Sequence, residues 1–280
     1  VRGFWILFLG GIASIVLIFL LASWGVFGKL PTFEELENPE SNLATEILSS
    51  DGKTLGKFYN ENRTPVKYED LPQNLIDAVV ATEDRRFYEH SGIDMRGTAR
   101  AVAFLGSKGG ASTITQQLAK LLFSDTPSSK FERVLQKVKE WIIAARLERQ
   151  YTKQEIITMY LNKQDFLFQA VGIRSASKIY FDKEPIELRP EESAIIAGML
   201  KNPRQFNPHR EISKDESLER RNIVLALMAE TGKLTQIERD SLTAMPMEIN
   251  FSPEGHADGI ATYFREYLRA FMSDWIEQNP

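Results

Sequence analysis

Two acidic residues, Glu83 and Asp84, stand together and are followed at once by Arg85 and Arg86. The residues before them are apolar at helical spacing: Leu75, Ile76, Val79 and Val80. This pattern predicts a helix that is capped by Asp70 and ends at or near Glu83. A carboxylate at a helix C-terminus faces the negative end of the helix dipole, which disfavours its charged form. Set in a cleft beside a cation, Glu83 would be suited to take a proton from a hydroxyl. The alternative is a solvated helix end with local ion pairs.

A second group of polar side chains lies in residues 112–117, after two glycines. Its members are neutral and form hydrogen bonds: Ser112, Thr113, Thr115, Gln116 and Gln117. Hydroxyl and amide groups both donate and accept, so this set suits a ligand rich in hydroxyls, such as a sugar. The alternative interpretation is a Ser/Thr N-cap followed by an ordinary amphipathic helix over 112–123. That alternative explains Ser112 but leaves the two glutamines without a reason.

A third candidate is the pair formed by Lys137 and Glu140, which share one face of a helix predicted over 131–150. In a catalytic interpretation, Glu140 is a second carboxylate across a cleft from Glu83. Lys137 and Lys120 would then supply positive charge for an anionic leaving group. Periodicity alone equally allows a charged stripe that faces solvent.

The elements that must position these residues are mostly helical. Further helices are predicted over 153–161, 190–200 and 215–231, with a capping box formed by Thr152 and Glu155 before the first of them. A small β-hairpin is predicted around the Asp51-Gly52 turn. The three histidines are too scattered to predict a metal site.

The N-terminal region predicts a membrane anchor. Phe4 to Phe27 is an uncharged stretch of 24 residues, which as a helix at about 1.5 Å per residue exceeds the roughly 30 Å hydrocarbon core. A cleaved signal peptide is the alternative, but the apolar stretch is too long for a typical one. Arg2 before the span, against four glutamates at 34–40 after it, favours a cytoplasmic N-terminus and an extracytoplasmic remainder.

Composition excludes several classes of protein. The 280-residue chain has 43% hydrophobic and 26% charged residues, which is the composition of a globular protein. The net charge of -4 argues against a nucleic-acid binder. The chain has no cysteine, so disulfides and cysteine-held metals are excluded.

In their order along the chain, these stretches resemble the five motifs of glycosyltransferase family 51, the peptidoglycan glycosyltransferase domain of class A penicillin-binding proteins. The matching segments are Glu83-Asp84-x-x-Phe87-x-x-His90-x-Gly92, Gly110-Ala111-Ser112-Thr113-Ile114-Thr115-Gln116-Gln117-Leu118, Lys137-x-x-Glu140-x-x-x-Ala144-x-x-Leu147-Glu148, Lys153-x-x-Ile156-x-x-x-Tyr160-Leu161-Asn162 and Arg221-Asn222-x-Val224-Leu225 with Met228. The resemblance covers roughly residues 43–232.

This resemblance implies a mainly α, lysozyme-like, two-lobed domain that polymerises lipid II into β-1,4 glycan with inversion. Glu83 would be the general base, and Glu140 would assist at the diphosphate. The implied substrate-binding residues are Asp84, Arg86, His90, Ser112, Thr113, Thr115, Gln116, Gln117, Lys120 and Lys137. No protein metal site and no organic cofactor are implied, although a divalent cation, Mg²⁺ or Mn²⁺, would help. Expected partners are lipid II, the growing glycan strand, membrane lipid and other cell-wall synthesis proteins, at the inner membrane with the domain on the periplasmic side.

The expected organisation is an anchor at 1–28, a stalk at 29–42, the glycosyltransferase domain at 43–232, and a linker with the start of a transpeptidase region at 233–280. Three features depart from the family pattern: Leu121, Gln136 and the segment Asp165-Phe-Leu-Phe-Gln169. Two other functions stay open from the residues. One is a hydrolase that cleaves glycan with the same two carboxylates; the other is a non-catalytic anchored module that binds glycan or protein partners.

Overall fold

The computed structural model describes the central part of the chain in most detail. The described residues are 2–26, 30, 45–48, 50, 54–58, 65–104, 112–123, 129–252, 264, 267, 268, 271, 272 and 275. The chain divides into two compact units. The first unit contains Val1–Glu40 and Glu83–Tyr160, and the second contains Ser41–Thr82 and Leu161–Pro280.

The described fold is mainly helical, as predicted. The helices are α1 (Arg2–Ser23), α2 (Gln73–Glu83), α3 (Met95–Ala103), α4 (Ile114–Phe123), α5 (Lys130–Gln150), α6 (Lys153–Lys163), α7 (Ile173–Phe181), α8 (Pro190–Met199), α9 (Lys214–Glu230) and α10 (Gln236–Ala244). Two strands are β1 (Thr45–Leu48) and β2 (Thr54–Phe58). Short 3-10 turns lie at Tyr68–Asp70, Phe87–Glu89, Pro185–Glu187 and Glu211–Ser213.

The strands β1 and β2 pair antiparallel, with Thr45 opposite Phe58 and an irregularity between Ile47 and Leu48. The predicted hairpin turn at Asp51-Gly52 lies outside the described residues. So does nearly all of the predicted stalk at 29–42.

The first unit packs around α4 and α5. Side chains from both helices are fully or almost fully buried there: Leu118, Ala119, Ile143, Ala144 and Leu147. Helix α5 begins after Ser129, whose hydroxyl accepts the Glu132 N–H at 3.1 Å and so satisfies one free donor of the first turn. The predicted capping box of α6 is confirmed, because Thr152 N donates to Glu155 Oε2 at 2.7 Å and Glu155 N to Thr152 Oγ1 at 3.3 Å.

Of the two other predicted caps, the one at Asp70 is wrong. Asp70 Oδ2 accepts the Lys67 N–H at 2.9 Å, inside the 3-10 turn before α2, so Asp70 does not cap α2. The error is a shift of a helix start, the feature that the sequence locates least well. The Ser/Thr N-cap of α4 is Thr113, since Thr113 Oγ1 accepts the Gln116 N–H at 3.1 Å.

The core of the second unit includes helix α8, which is buried along almost its whole length. The fully buried Arg221 of α9 holds the end of α10 and the residues after it, because Nη2 donates to Thr243 O at 3.1 Å and Nη1 donates to Pro246 O at 3.4 Å. Burial lowers the pKa of Arg221. The chain then returns to α7, where Asn250 N donates to Tyr180 O at 3.0 Å. The segment up to residue 252 is therefore part of this unit's folded structure.

The segment 165–169, which departs from the family pattern, forms an unusual loop in the second unit. Three consecutive residues have left-handed backbone conformations: Leu167 (φ 69°), Phe168 (φ 52°) and Gln169 (φ 62°). Tyr180 anchors the loop, since its hydroxyl donates to Phe166 O at 2.6 Å. Phe168 packs edge-on against Phe251 at 5.1 Å between ring centroids, so its apolar bulk serves packing here.

The predicted membrane span coincides with much of α1. Phe19 of α1 lies 6.0 Å from Trp141 of α5 between ring centroids. Among the residues that the structure describes, we find no helix with the length and apolarity needed to cross a bilayer. The anchor over Phe4–Phe27 therefore stays a prediction.

Candidate active site

Glu83 is the last residue of α2, as the sequence predicted. Its Oε2 accepts a hydrogen bond of 2.9 Å from Nε2 of Gln117, which lies on α4. The other end of the same amide, Gln117 Oε1, accepts the hydroxyl of Tyr160 at 3.0 Å. Glu83 is half-buried. The Gln117 amide therefore holds the Glu83 carboxylate in place, and Tyr160 in turn holds the amide.

Asp84 is buried and joins the turn after α2 to the start of α4. Its Oδ2 accepts the Ile114 N–H at 3.1 Å, a favourable place for a negative charge because Ile114 begins a helix. Both carboxylate oxygens also lie 3.0 Å from His90 Nε2. His90 Nδ1 is buried and has no hydrogen-bond partner among the described residues. These contacts give Asp84 and His90 a role in the architecture of the site.

Arg86 forms an ion pair with Asp94, which also accepts the Gly97 N–H at 2.9 Å. The hydrogen bond to Asp94 is the main cause of a raised pKa for Arg86. Burial opposes ionisation of Asp94, but the bonds from Arg86 and Gly97 outweigh it and lower the pKa of Asp94. The guanidinium thus keeps its charge, and with 27% of its side chain exposed it can still reach a ligand.

Most polar groups of residues 112–117 are bound by the protein itself. Thr113 Oγ1 donates to Gly92 O at 2.6 Å, and Thr115 Oγ1 donates to Glu148 Oε1 at 2.5 Å. Gln116 Oε1 accepts the Thr113 N–H at 3.4 Å, while its buried Nε2 has no partner within the part of the chain that the structure describes. The side chains of Thr113, Thr115 and Gln116 are buried. Their contacts shape the first turn of α4.

Lys137 and Glu140 lie together on α5, on the face that the spacing predicted. Lys137 Nζ is 2.7 Å from Glu140 Oε2 and also donates to Ser112 Oγ at 3.1 Å. The side chain of Glu140 is only 5% exposed, whereas that of Lys137 is 42% exposed. Lys120 on α4 is exposed and makes no hydrogen bond or ion pair with the described residues. Both lysines therefore have charge available to an anion.

The structure brings the two carboxylates to one short segment of the chain. Glu83 contacts residues 112–117 through Gln117, and Glu140 contacts them through Lys137 and Ser112. All of these residues belong to the first unit. The first turn of α4 is therefore the element that relates one acidic group to the other.

Several residues beside this site belong to the motifs, but the sequence predicted no role for them. Lys153 Nζ donates to His90 O at 2.7 Å and to Glu148 Oε1 at 2.8 Å, and lies 4.3 Å from the centre of the Phe87 ring. Tyr160 was likewise read only as part of a motif. Their spacing placed them on a helix, but spacing does not give partners on other elements.

The divalent cation implied by the resemblance has no protein ligand set within the described residues. They contain no group of three or more histidine or acidic side chains that could hold a metal ion. Asp84, the most buried acid beside Glu83, is already bound by a ring nitrogen and a backbone N–H. The residues present do not fit a metal held by the protein alone.

Comparison with known proteins identifies the family of the chain. The family model described as "Transglycosylase" matches residues 51–229. The chain is 38% identical over 254 residues to penicillin-binding protein 1A of Vibrio cholerae serotype O1, covering 88% of this chain and 30% of the relative. It is 35% identical over 270 residues to penicillin-binding protein 1A of Escherichia coli K12, covering 92% of this chain and 30% of the relative.

A crystal structure of penicillin-binding protein 1A from Haemophilus influenzae is also similar, with 26% identity and a TM-score of 0.44 over 83% of this chain and 24% of that one. The chain spans less than a third of the length of these relatives. The chain belongs to the transglycosylase family, an enzyme family, and the resemblance to glycosyltransferase family 51 is confirmed.

Proposed function

We propose that this chain is a peptidoglycan glycosyltransferase that polymerises lipid II into β-1,4 glycan and releases undecaprenyl diphosphate. Membership of the transglycosylase family supports this proposal. The observation that carries it is the connection of Glu83 and Glu140 to the single segment 112–117, beside cationic groups. The proposed domain retains the lysozyme-like, two-lobed fold implied by the motifs.

In the proposed reaction, the Glu83 carboxylate takes the proton from the 4-hydroxyl of the acceptor sugar. The hydroxyl oxygen bonds to the anomeric carbon of the donor, and the bond from that carbon to the diphosphate oxygen breaks with its electron pair. Attack from the opposite face inverts the anomeric configuration. Lys137, placed by Glu140, and the cations Arg86 and Lys120 stabilise the negative charge on the departing diphosphate. No step is assigned to a divalent cation, because the described residues contain no group of three or more histidine or acidic side chains that could hold one.

The proposed location is the inner membrane, with Phe4–Phe27 as a single-pass anchor and the catalytic domain on the periplasmic side. A substrate with a polyprenyl tail supports this location, since the tail stays in the bilayer while the sugars react at its surface. Membrane lipid and other cell-wall synthesis proteins are the proposed partners.

The test uses the purified chain with labelled lipid II in detergent. Replacing Glu83→Gln keeps the shape and a hydrogen-bond acceptor for Gln117, so the fold is preserved while the base is lost. We expect polymerisation to fall by roughly 10²- to 10⁴-fold. The matched control is Glu89→Gln, at an exposed acid of the neighbouring 3-10 turn, which should keep normal activity.

The two other functions predict different results in the same assay. A hydrolase would release fragments from finished glycan and would not elongate lipid II. A binding module would retain glycan without forming polymer in either protein. Undiminished polymerisation by the Glu83→Gln protein would remove Glu83 from its proposed role.

A further inference from the structure

We propose that Tyr160 is a positioning residue for the general base, acting through the side-chain amide of Gln117. This inference rests on the proposed function, because it assigns Tyr160 to the same reaction. It also changes the expected role of Gln117, from binding substrate to holding Glu83.

Three residues of the first unit, Glu83, Gln117 and Tyr160, form this arrangement. Tyr160 lies near the end of α6 and is fully buried, with 0% of its surface exposed. Its hydroxyl donates to Gln117 Oε1 at 3.0 Å, and Gln117 Nε2 donates to Glu83 Oε2 at 2.9 Å. Both distances are those of ordinary, well-formed hydrogen bonds. The buried tyrosine is thus linked to the half-buried carboxylate through one amide.

The direction of both hydrogen bonds follows from the chemistry of the groups. An ionised carboxylate only accepts, so Gln117 must present its NH₂ group to Glu83. The amide oxygen then faces Tyr160, and because a carbonyl oxygen only accepts, the tyrosine hydroxyl must donate. If the amide turned over, its oxygen would face the Glu83 carboxylate and two acceptors would repel each other. The Glu83 carboxylate therefore selects this orientation of Gln117, and the Tyr160 hydroxyl holds the amide there by donating to its oxygen.

This role makes a specific kinetic prediction. Glu83 removes its proton in the transition state, so a loosely held carboxylate slows the chemical step and leaves substrate binding largely intact. Replacing Tyr160→Phe removes only the hydroxyl. We expect kcat for lipid II polymerisation to fall about 10-fold, with KM changed less than about twofold.

The experiment compares the full chain with Tyr160→Phe, Gln117→Leu and the double variant, measuring kcat, KM and Tm for each. Tyr180→Phe is the matched control, because Tyr180 is a buried tyrosine of the second unit whose hydroxyl donates to Phe166 O at 2.6 Å. The control should lower Tm while leaving kcat unchanged. If Tyr160→Phe does not fold, Gln117→Leu still tests the proposal, because it removes the amide that connects Tyr160 to Glu83 and kcat can be measured in the same way.

Support would be a lower kcat in Tyr160→Phe that does not fall further when combined with Gln117→Leu, since both changes break one link. Gln117→Leu should also lower kcat rather than raise KM. Multiplying losses in the double variant, a rise in KM alone, or a loss of Tm without a loss of kcat would each overturn the proposal. If Glu83→Gln is inactive while Tyr160→Phe keeps full kcat, this inference fails and the proposed function stands. If Glu83→Gln polymerises normally, Glu83 is not the base and this inference fails with that assignment. If the unmodified chain forms no polymer from lipid II, the proposed function fails.

Discussion

The ammonium group of Lys137 lies 2.7 Å from Oε2 of Glu140, one turn away on the same helix. The two partners differ in exposure, because the carboxylate is almost fully buried and the lysine is not. A buried carboxylate without a partner is strongly disfavoured. Lys137 therefore has two functions in the proposed mechanism: it makes the burial of Glu140 tolerable, and it offers positive charge to a leaving diphosphate.

These two functions can be separated by a pair of variants. Lys137→Met should destabilise the protein by about 1 to 3 kcal/mol, because it leaves Glu140 buried without its cation. Adding Glu140→Gln should recover most of that stability, since the neutral amide needs no counter-charge. Polymerisation should stay low in both proteins because the charge for the diphosphate is absent. Urea unfolding and the lipid II assay measure the two effects, and equal stability of the single and double variants would contradict this account.

Gly92, in the first motif, gives a prediction about backbone shape. Its φ of +84° is left-handed, and a Cβ there would lie 2.9 Å from Ala144 O. Gly92→Ala should therefore cost about 2 to 4 kcal/mol, from the left-handed backbone together with overpacking against α5. Gly232→Ala is the control, because Gly232 has a φ of +71° but open space around its Cα. The control should cost only about 1 kcal/mol in urea unfolding, and equal losses in the two variants would exclude the contact with Ala144 as the cause.

The sequence predicted the helices whose apolar residues recur clearly, and α2, α5, α6, α8 and α9 lie where expected. It missed α3 and α7, which have nine residues each. Such short helices give fewer than three turns over which an apolar period could repeat.

Motif residues of the site were predictable, but their partners were not. Periodicity gives the face of a helix on which Gln117 lies, but it cannot show that this face meets Glu83, 34 positions away. For the same reason the neutral side chains of 112–117 were interpreted as sugar ligands, whereas the protein itself binds Thr113 and Thr115. Long-range packing decides these pairings, and the sequence pattern contains only local spacing.

Glu192 on α8 makes the stability of the second unit depend on pH. Burial would raise its pKa, but hydrogen bonds from Lys183 Nζ at 2.8 Å and from Arg189 N at 2.8 Å outweigh this and lower the pKa below its ordinary value of 4.5. The unfolded chain then binds the proton at a higher pH than the folded chain. The stabilisation is therefore complete above about pH 4.5 and is lost as the pH falls through the lower, folded-state pKa.

We expect Glu192→Gln to lose about 1 to 3 kcal/mol at pH 7, with the deficit shrinking as the pH falls below about 4.5. Thermal unfolding at several pH values measures both effects. Glu211→Gln makes the same change of charge at a side chain that is 92% exposed, and should track the unmodified protein throughout. A deficit for Glu192→Gln that stayed constant down to pH 3 would show that its carboxylate is not held in the ionised form.

The left-handed loop at 165–169 predicts a substitution that stabilises the protein. Gln169 is exposed and has a φ of +62°, which glycine adopts without the steric cost that other residues meet. Gln169→Gly should therefore raise the free energy of unfolding by about 0.5 to 1 kcal/mol, after allowing for the greater freedom of glycine in the unfolded chain. The same change at Gln154, exposed in the first turn of α6, should instead lower it by about 0.5 to 1 kcal/mol. Urea unfolding measures both changes in the free energy of unfolding. Changes of opposite sign would support a left-handed backbone at Gln169, because the same substitution is made in a left-handed loop and in a right-handed helix. Losses of equal size would show that Gln169 is not left-handed in solution.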